Sequence, residues 1–161
     1  MPPIDARLQK LLDESEVEYE VLHHPADVRA HSTAAHTHTA DRDFAKTVVM
    51  WIDGARAFAV VPASHHVAPS RLARSLGANE VRLATEAEMQ ESMPDCELGA
   101  EPPFGALYGL PTYASPVLAG DERITFNGGT HRDAVRMRWA DYERVAKPKI
   151  VPLSRHEDDT H

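Results

Sequence analysis

The sequence predicts an α+β domain: a mixed, largely antiparallel, barrel-like sheet with helices packed around it. Three observations carry that expectation. The dense β-forming run Phe44–Ile52 is joined by Asp53-Gly54, a strong hairpin-turn pair, to a return strand at Ala57–Pro62. Several further short strands stand apart from this hairpin. The helical stretches fall between them without the regular strand–helix alternation of a doubly wound sheet.

Taken in order, Leu8, Leu11 and Leu12 repeat at helical spacing among charged residues and predict an amphipathic helix over about residues 4–15. Val17-Glu18-Tyr19-Glu20-Val21 alternates apolar and polar residues, the pattern of a half-buried strand, and His24-Pro25 ends it. Residues 26–43 are polar, with room for a helix over 32–37. The hairpin follows, with Lys46 near the start of its first strand. Ser70 is expected to cap a helix over Arg71–Leu76, which Gly77 closes. Val81–Leu83 reads as a short strand. Thr85 and Glu88 form a capping-box pair that opens a helix running to Ser92. From Pro94 to Pro116 the chain is rich in Gly and Pro, and long irregular stretches in compact domains tend to be functional. Arg123–Asn127 and Val135–Met137 read as strands around a Gly128-Gly129 turn, and Asp141 opens a last helix over Tyr142–Ala146. Residues 1–151 are expected to form one domain, with 152–161 a polar C-terminal tail that frays.

Composition narrows the function classes. Of the 161 residues 42% are apolar and 26% charged, ordinary globular usage that argues against disorder. No apolar run approaches the roughly 18–20 residues of a membrane span, and the charged N-terminus reads as neither signal peptide nor anchor. The single cysteine, Cys96, excludes an intrachain disulfide framework and fits a cytoplasmic protein. A formal net charge of −8 argues against coating DNA or RNA, since general phosphate neutralisation needs the opposite sign. An enzyme that touches only one end of a tRNA remains compatible.

Three features could carry chemistry. Lys46, ahead of Val48–Ile52, either snorkels from a strand mouth or points a positive charge into a cavity. The segment Gly99-Ala100-Glu101-Pro102-Pro103-Phe104-Gly105 is either a plain connector or a rigid loop of backbone N–H groups able to hold a carbonyl oxygen that becomes anionic. In Asn127-Gly128-Gly129-Thr130-His131-Arg132 the adjacent glycines allow close backbone approach to a ligand. His131 there is either a solvated side chain or a group near a ribose hydroxyl. His31, His36 and His38 lie close together, but no HExxH pattern accompanies them and no metal or cofactor is expected. There is no GxSxG elbow, and nothing marks Cys96 as an activated thiolate.

Together these features resemble one family. FAKTVV at 44–49, GAEPPFG at 99–105, GLPTY at 109–113 and FNGGTHRDAVRM at 126–137 look like the YbaK/EbsC family, whose fold is shared with the editing domain of bacterial prolyl-tRNA synthetases. The resemblance spans about residues 5–150. It implies a free-standing hydrolase that deacylates mischarged aminoacyl-tRNA by water attack on the ester, without cofactor, metal or covalent intermediate. On that resemblance Lys46 matches the lysine that engages the tRNA 3′ end, and Gly99 and Pro103 the loop that holds the aminoacyl group. Thr47, Pro102, Phe104 and Gly105 flank those positions. Gly128, Gly129, Thr130 and His131 match the turn lining the same pocket, and His24 and Pro25 its rim. The implied partners are the acceptor end of aminoacyl-tRNA and an aminoacyl-tRNA synthetase, with neither membrane nor DNA.

Two departures stand out. Many relatives carry Asp where this chain has Ser115, and the segment with His31, His36 and His38 is unusually rich in histidine. The alternative reading is a binding module that keeps the pocket, recognises a tRNA end, a nucleotide or an amino-acid analogue, and has weakened or lost catalysis.

Overall fold

The computed structural model describes residues 4–24, 43–94, 96–97 and 99–156. Helix α1 (Ala6–Glu14) is opened by Asp5, whose carboxylate accepts the N–H groups of Arg7 and Leu8. Leu8 and Leu12 are fully buried beneath it. The first strand, β1 (Tyr19–His23), starts two residues later than its alternation suggests. The helix end consumes those residues: Glu16 takes a positive φ of 56° and the Val17 N–H bonds back to the Leu12 carbonyl.

The hairpin is as expected. β2 (Phe44–Ile52) and β3 (Ala55–Pro62) pair antiparallel from Ala45↔Pro62 to Ile52↔Ala55, across the Asp53-Gly54 turn. β4 (His65–Val67) and helix α2 (Pro69–Leu76) follow. Ser70 is not the cap of α2. Ala68 occupies that position without a side-chain bond, and Pro69, which lacks the N–H a first turn leaves unbonded, begins the helix. Gly77 closes it at φ +66°. After β5 (Val81–Leu83), Thr85 and Glu88 form the reciprocal capping box of α3 (Glu86–Ser92). A 3₁₀ turn (Gly105–Tyr108), β6 (Thr112–Ala114) and α4 (Pro116–Ala119) come next. β7 (Arg123–Asn127), β8 (Asp133–Arg138), α5 (Trp139–Ala146), β9 (Lys149–Ile150) and β10 (Ser154–His156) complete the described chain. Asp141 lies in the first turn of α5 rather than at its cap, which is Arg138. The expected polar tail begins later than 152: Leu153 is fully buried and β10 pairs antiparallel with β4. The helix expected over 32–37 lies outside the described residues.

The main sheet runs β1-β8-β7-β2-β3-β6-β9, with β5 also on β2. Pairs β1/β8, β8/β7, β2/β3 and β2/β5 are antiparallel, and β7/β2, β3/β6 and β6/β9 parallel. One face carries Ala45, Val60, Ala114, Phe126 and Val135 and packs under α1 and α5, where Phe104, Phe126, Trp139 and Tyr142 form an aromatic cluster. On the other face Met50, Ala59 and Val61 meet Leu72 of α2 together with Val151 and Leu153. No described helix is long and apolar enough to cross a membrane.

Candidate functional site

Several strand ends gather at one end of the sheet. β1 finishes at His23 opposite Asp133, where β8 starts, and the His24 N–H bonds the Arg132 carbonyl. β7 finishes at Asn127 and leads into the Gly128–Arg132 turn. β2 begins alongside it, with Phe44↔Thr125 and Ala45↔Phe126 in parallel register. One step further along that register brings Lys46 beside Asn127, so strand alternation puts both side chains on the α2 face. Lys46 is half-buried and faces Val61 across the hairpin. Thr47, opposite Val60, faces the α1 side.

The Gly99 loop is bonded onto the glycine turn. The Gly129 N–H donates to the Ala100 carbonyl at 2.9 Å, and the Glu97 N–H to the Gly129 carbonyl at 2.9 Å. The His131 N–H donates to Glu97 Oε1 at 2.7 Å. Both glycines are conformationally required: φ is +83° at Gly99 and +106° at Gly129, a region side-chain-bearing residues avoid. Room is limited at Gly129, where a Cβ would stand 3.1 Å from Asp5 Cβ, whereas one on Gly99 would make an ordinary 3.6 Å contact with His131 Cε1. The Thr130 hydroxyl shapes the turn by donating to Asp133 Oδ2 at 2.8 Å, while Asp133 Oδ1 lies 2.6 Å from His23 Nδ1.

Ala100 to Gly105 are buried. The Phe104 ring sits edge-on to both Phe126 and Tyr142, so this side chain anchors the loop in the core. Tyr142 reaches from α5 to donate its hydroxyl to the Pro103 carbonyl at 2.7 Å. A Cβ on Gly105 would overlap the Leu110 carbonyl and Thr112 Oγ1, and the Gly105 N–H bonds that same oxygen at 2.8 Å.

The expectation that the loop offers a set of open N–H groups is modified. Ala100 N–H is taken by the Glu97 carbonyl, Phe104 N–H by the Pro102 carbonyl, and Pro102 and Pro103 have none. Gly99 N–H is held by Glu101 Oε1 at a long 3.2 Å, a bond that an incoming oxygen can replace.

Sequence reasoning quoted Glu101 and Asn127 but gave neither a role. Glu101 is 3% exposed and its Oε2 has no hydrogen-bond partner; Thr47 Oγ1 and Asn127 Oδ1 are likewise buried without one. Burial raises the Glu101 carboxyl above the usual carboxylate range, against the backbone N–H groups of Glu101 and Gly99 and nearby His131, which lower it. Buried polar atoms are nearly always satisfied in folded proteins, so these three are exceptions, and Thr47 and Asn127 lie on opposite faces of the sheet. Nothing in the local pattern GAEPP distinguishes a buried glutamate from an exposed one.

The remaining expectations divide. Ser115 is buried at the end of β6, and its hydroxyl accepts the Val117 N–H at 3.2 Å to cap α4. Cys96 has its thiol pushed up to about 11, chiefly by burial, which leaves it protonated and unreactive at neutral pH. Pro25, His31, His36 and His38 lie outside the described residues. Of the cavities lined by described residues, one is bounded by Arg123 and Arg136, one by Arg71 and Arg155, and one by Trp51 and Arg82; the strand-end site is none of these.

With this geometry in view, the comparisons with known proteins are specific. A family model described as an aminoacyl-tRNA editing domain matches residues 24–145. The chain is 30% identical over 154 residues, 92% of each protein, to the multifunctional Ser/Thr-tRNA deacylase ProXp-y of Escherichia coli strain K12. Among solved structures, a candidate trans-editing enzyme for prolyl-tRNA synthetase superposes with a TM-score of 0.82 at 22% identity, over 96% of this chain and 99% of that one. A computationally designed scaffold for grafted epitopes superposes with a TM-score of 0.83 at 20% identity, again over 96% and 99%. Both structures share the fold, and the extent of the family match settles the rest: this chain belongs to the aminoacyl-tRNA editing domain family.

Proposed function

We propose that this protein is a free-standing editing hydrolase that removes mischarged amino acids from tRNA by water attack on the aminoacyl ester. Family membership and the related Ser/Thr-tRNA deacylase support the reaction class. The observation that carries the site is the Gly129–Ala100 backbone bond, which joins the glycine turn to the Gly99 loop at the end of the sheet where β2 begins, two residues before Lys46.

In this reading the Lys46 ammonium engages the terminal adenosine or its phosphate. The ester carbonyl oxygen takes the Gly99 N–H in place of Glu101 Oε1. Water then adds to the carbonyl carbon, the oxyanion is held at that N–H, and the ribose oxygen leaves with a proton. A pre-organised donor of this kind contributes on the order of 100–1000-fold in rate. Glu101, whose second oxygen is open and whose proton affinity burial has raised, orients the water and accepts its proton. His131 and Thr47 wall the pocket. Editing has a purpose here because a binding pocket separates side chains differing by one methylene only about 10–200-fold.

Deacylation of a panel of mischarged tRNAs tests the proposal. Wild-type protein should release at least one amino acid far faster than Lys46→Ala, and rates equal to that variant on every tRNA would overturn it. Glu101→Gln should lower kcat with little change in KM; an unchanged kcat removes Glu101 from the chemistry. A binding module without turnover is the second reading. It draws on Ser115, whose hydroxyl serves a helix cap where relatives carry a carboxylate. Affinity for an aminoacyl-adenosine analogue together with no turnover would favour it.

A further inference from the structure

We infer that Arg71, Arg74 and Arg155 form a docking site for the phosphodiester backbone of the tRNA, separate from the pocket that cuts the ester; this rests on the deacylase reading. The three guanidiniums line a shallow concavity of about 440 Å³ whose other walls are Ser75 and Pro152. Among the described residues none of the lining is acidic, on a chain whose net charge is −8. A local concentration of positive charge against the overall sign is what an acidic protein needs to meet a polyanion at one place.

The patch is built into the fold. α2 buries Leu72 and turns Arg71, Arg74 and Ser75 outward. The Arg71 guanidinium is fixed by the Ser154 carbonyl at 3.0 Å, and the Ser75 hydroxyl donates to the Pro152 carbonyl at 2.5 Å. These bonds tie α2 to the segment that carries Arg155, and β10 is held in turn by β4. Arginine suits the task, because its planar fork matches phosphate oxygens and stays charged.

Position relative to the pocket supports the assignment. Leu72 belongs to the same buried cluster as Val61, the cross-strand partner of Lys46. The helix that carries the arginines therefore covers the sheet face on which Lys46 lies. Its outer side is about one helix diameter, ~10 Å, from that face. α2 packs chiefly on β5, which pairs with the other end of β2, so a tRNA held at Lys46 would have to run along that face to meet the patch.

The test uses the full chain, fluorescent uncharged tRNA and a salt series, with Arg74→Gln/Arg155→Gln as the variant. Lys10→Gln/Arg123→Gln, which removes the same charge from exposed positions elsewhere, is the control. The patch variant should weaken tRNA binding about tenfold and reduce the slope of log Kd against log salt by about 2, near one unit per lost phosphate contact. Its hydrolysis of the same aminoacyl group carried on adenosine alone, and its melting temperature, should match wild type. Unchanged tRNA affinity and slope would overturn the inference, as would an equal loss in the control or an equal loss on aminoacyl-adenosine. A wild-type protein that binds tRNA through the patch and deacylates no tRNA in the panel would leave the docking site standing while the deacylase reading fails.

Discussion

The two ends of β2 differ in how they treat polar groups. Where β2 finishes, the polar groups mostly pair with one another at the surface. Asp53 accepts the N–H groups of Asn79 and Glu80, Thr85 and Glu88 cap each other, and Arg82 makes two 2.9 Å bonds to Glu88. Trp51 lies under the Arg56 and Arg82 guanidiniums at 4.6 and 5.4 Å, although its Nε1 and Arg56 Nε are buried without a hydrogen-bond partner. Where β2 begins, the glycine-rich turn and the Gly99 loop are bonded together, yet Thr47 Oγ1, Asn127 Oδ1 and Glu101 Oε2 are buried without partners. The first end is arranged for stability. The second keeps costly open groups, which under the proposed function a bound ligand would complete.

That contrast can be broken or sharpened by mutation. The largest effect is expected from Lys46→Ala, with kcat/KM for the best mischarged tRNA falling about 100-fold or more and the melting temperature nearly unchanged. Loss of folding instead would make Lys46 part of the scaffold. Gly129→Ala comes next. It forces a side chain into a φ of +106° and a Cβ to 3.1 Å from Asp5, so stability should fall by about 1–2 kcal/mol and activity with it. Denaturant midpoints and deacylation rates measured together would check both halves. Tyr142→Phe removes the hydroxyl that donates to the Pro103 carbonyl, and denaturant titration should read a loss of about 1–3 kcal/mol. A variant as stable as wild type would mean that the aromatic packing, not the hydroxyl, holds the loop.

The smallest effect belongs to the far end. Bonds from Arg82 first, and then from the Thr85 backbone, lower the Glu88 carboxyl from 4.5 to about 2. A depressed carboxylate stabilises the fold above its unfolded value and loses that contribution as pH falls. The loss should run from about pH 4.5 to 2, be slight because the pair is exposed and screened, and disappear in Glu88→Gln. Thermal melts across that range would measure it. A pH dependence identical in the variant would show the pair to be inert.

How much of this was legible in the sequence follows from how local each signal is. The Asp53-Gly54 hairpin, the Thr85–Glu88 box and the Gly77 helix stop are written in adjacent residues, and the structure has all three. The cap of α2 differs from the expected Ser70 because Ser70 and Pro69 both signal a helix start and proline takes the first position. β4 and β10 are three residues each, too short for a period, and exist only because they meet. At the site, Lys46 and the two glycine segments could be picked out, whereas the parallel β2/β7 register that brings Lys46 beside Asn127 is a long-range pairing with no local trace. Glu101 was passed over for the same reason, since burial is a property of the assembled loop.

One edge of β2 is held by β3 along almost its full length, while the other is shared by β7 at its start and β5 at its end. The backbone of Lys46 is thus held in place by the hairpin partner Val61. If Lys46 does meet the tRNA end, its place is inherited with the hairpin itself, and a lineage that keeps the β2/β3 pairing keeps the charge.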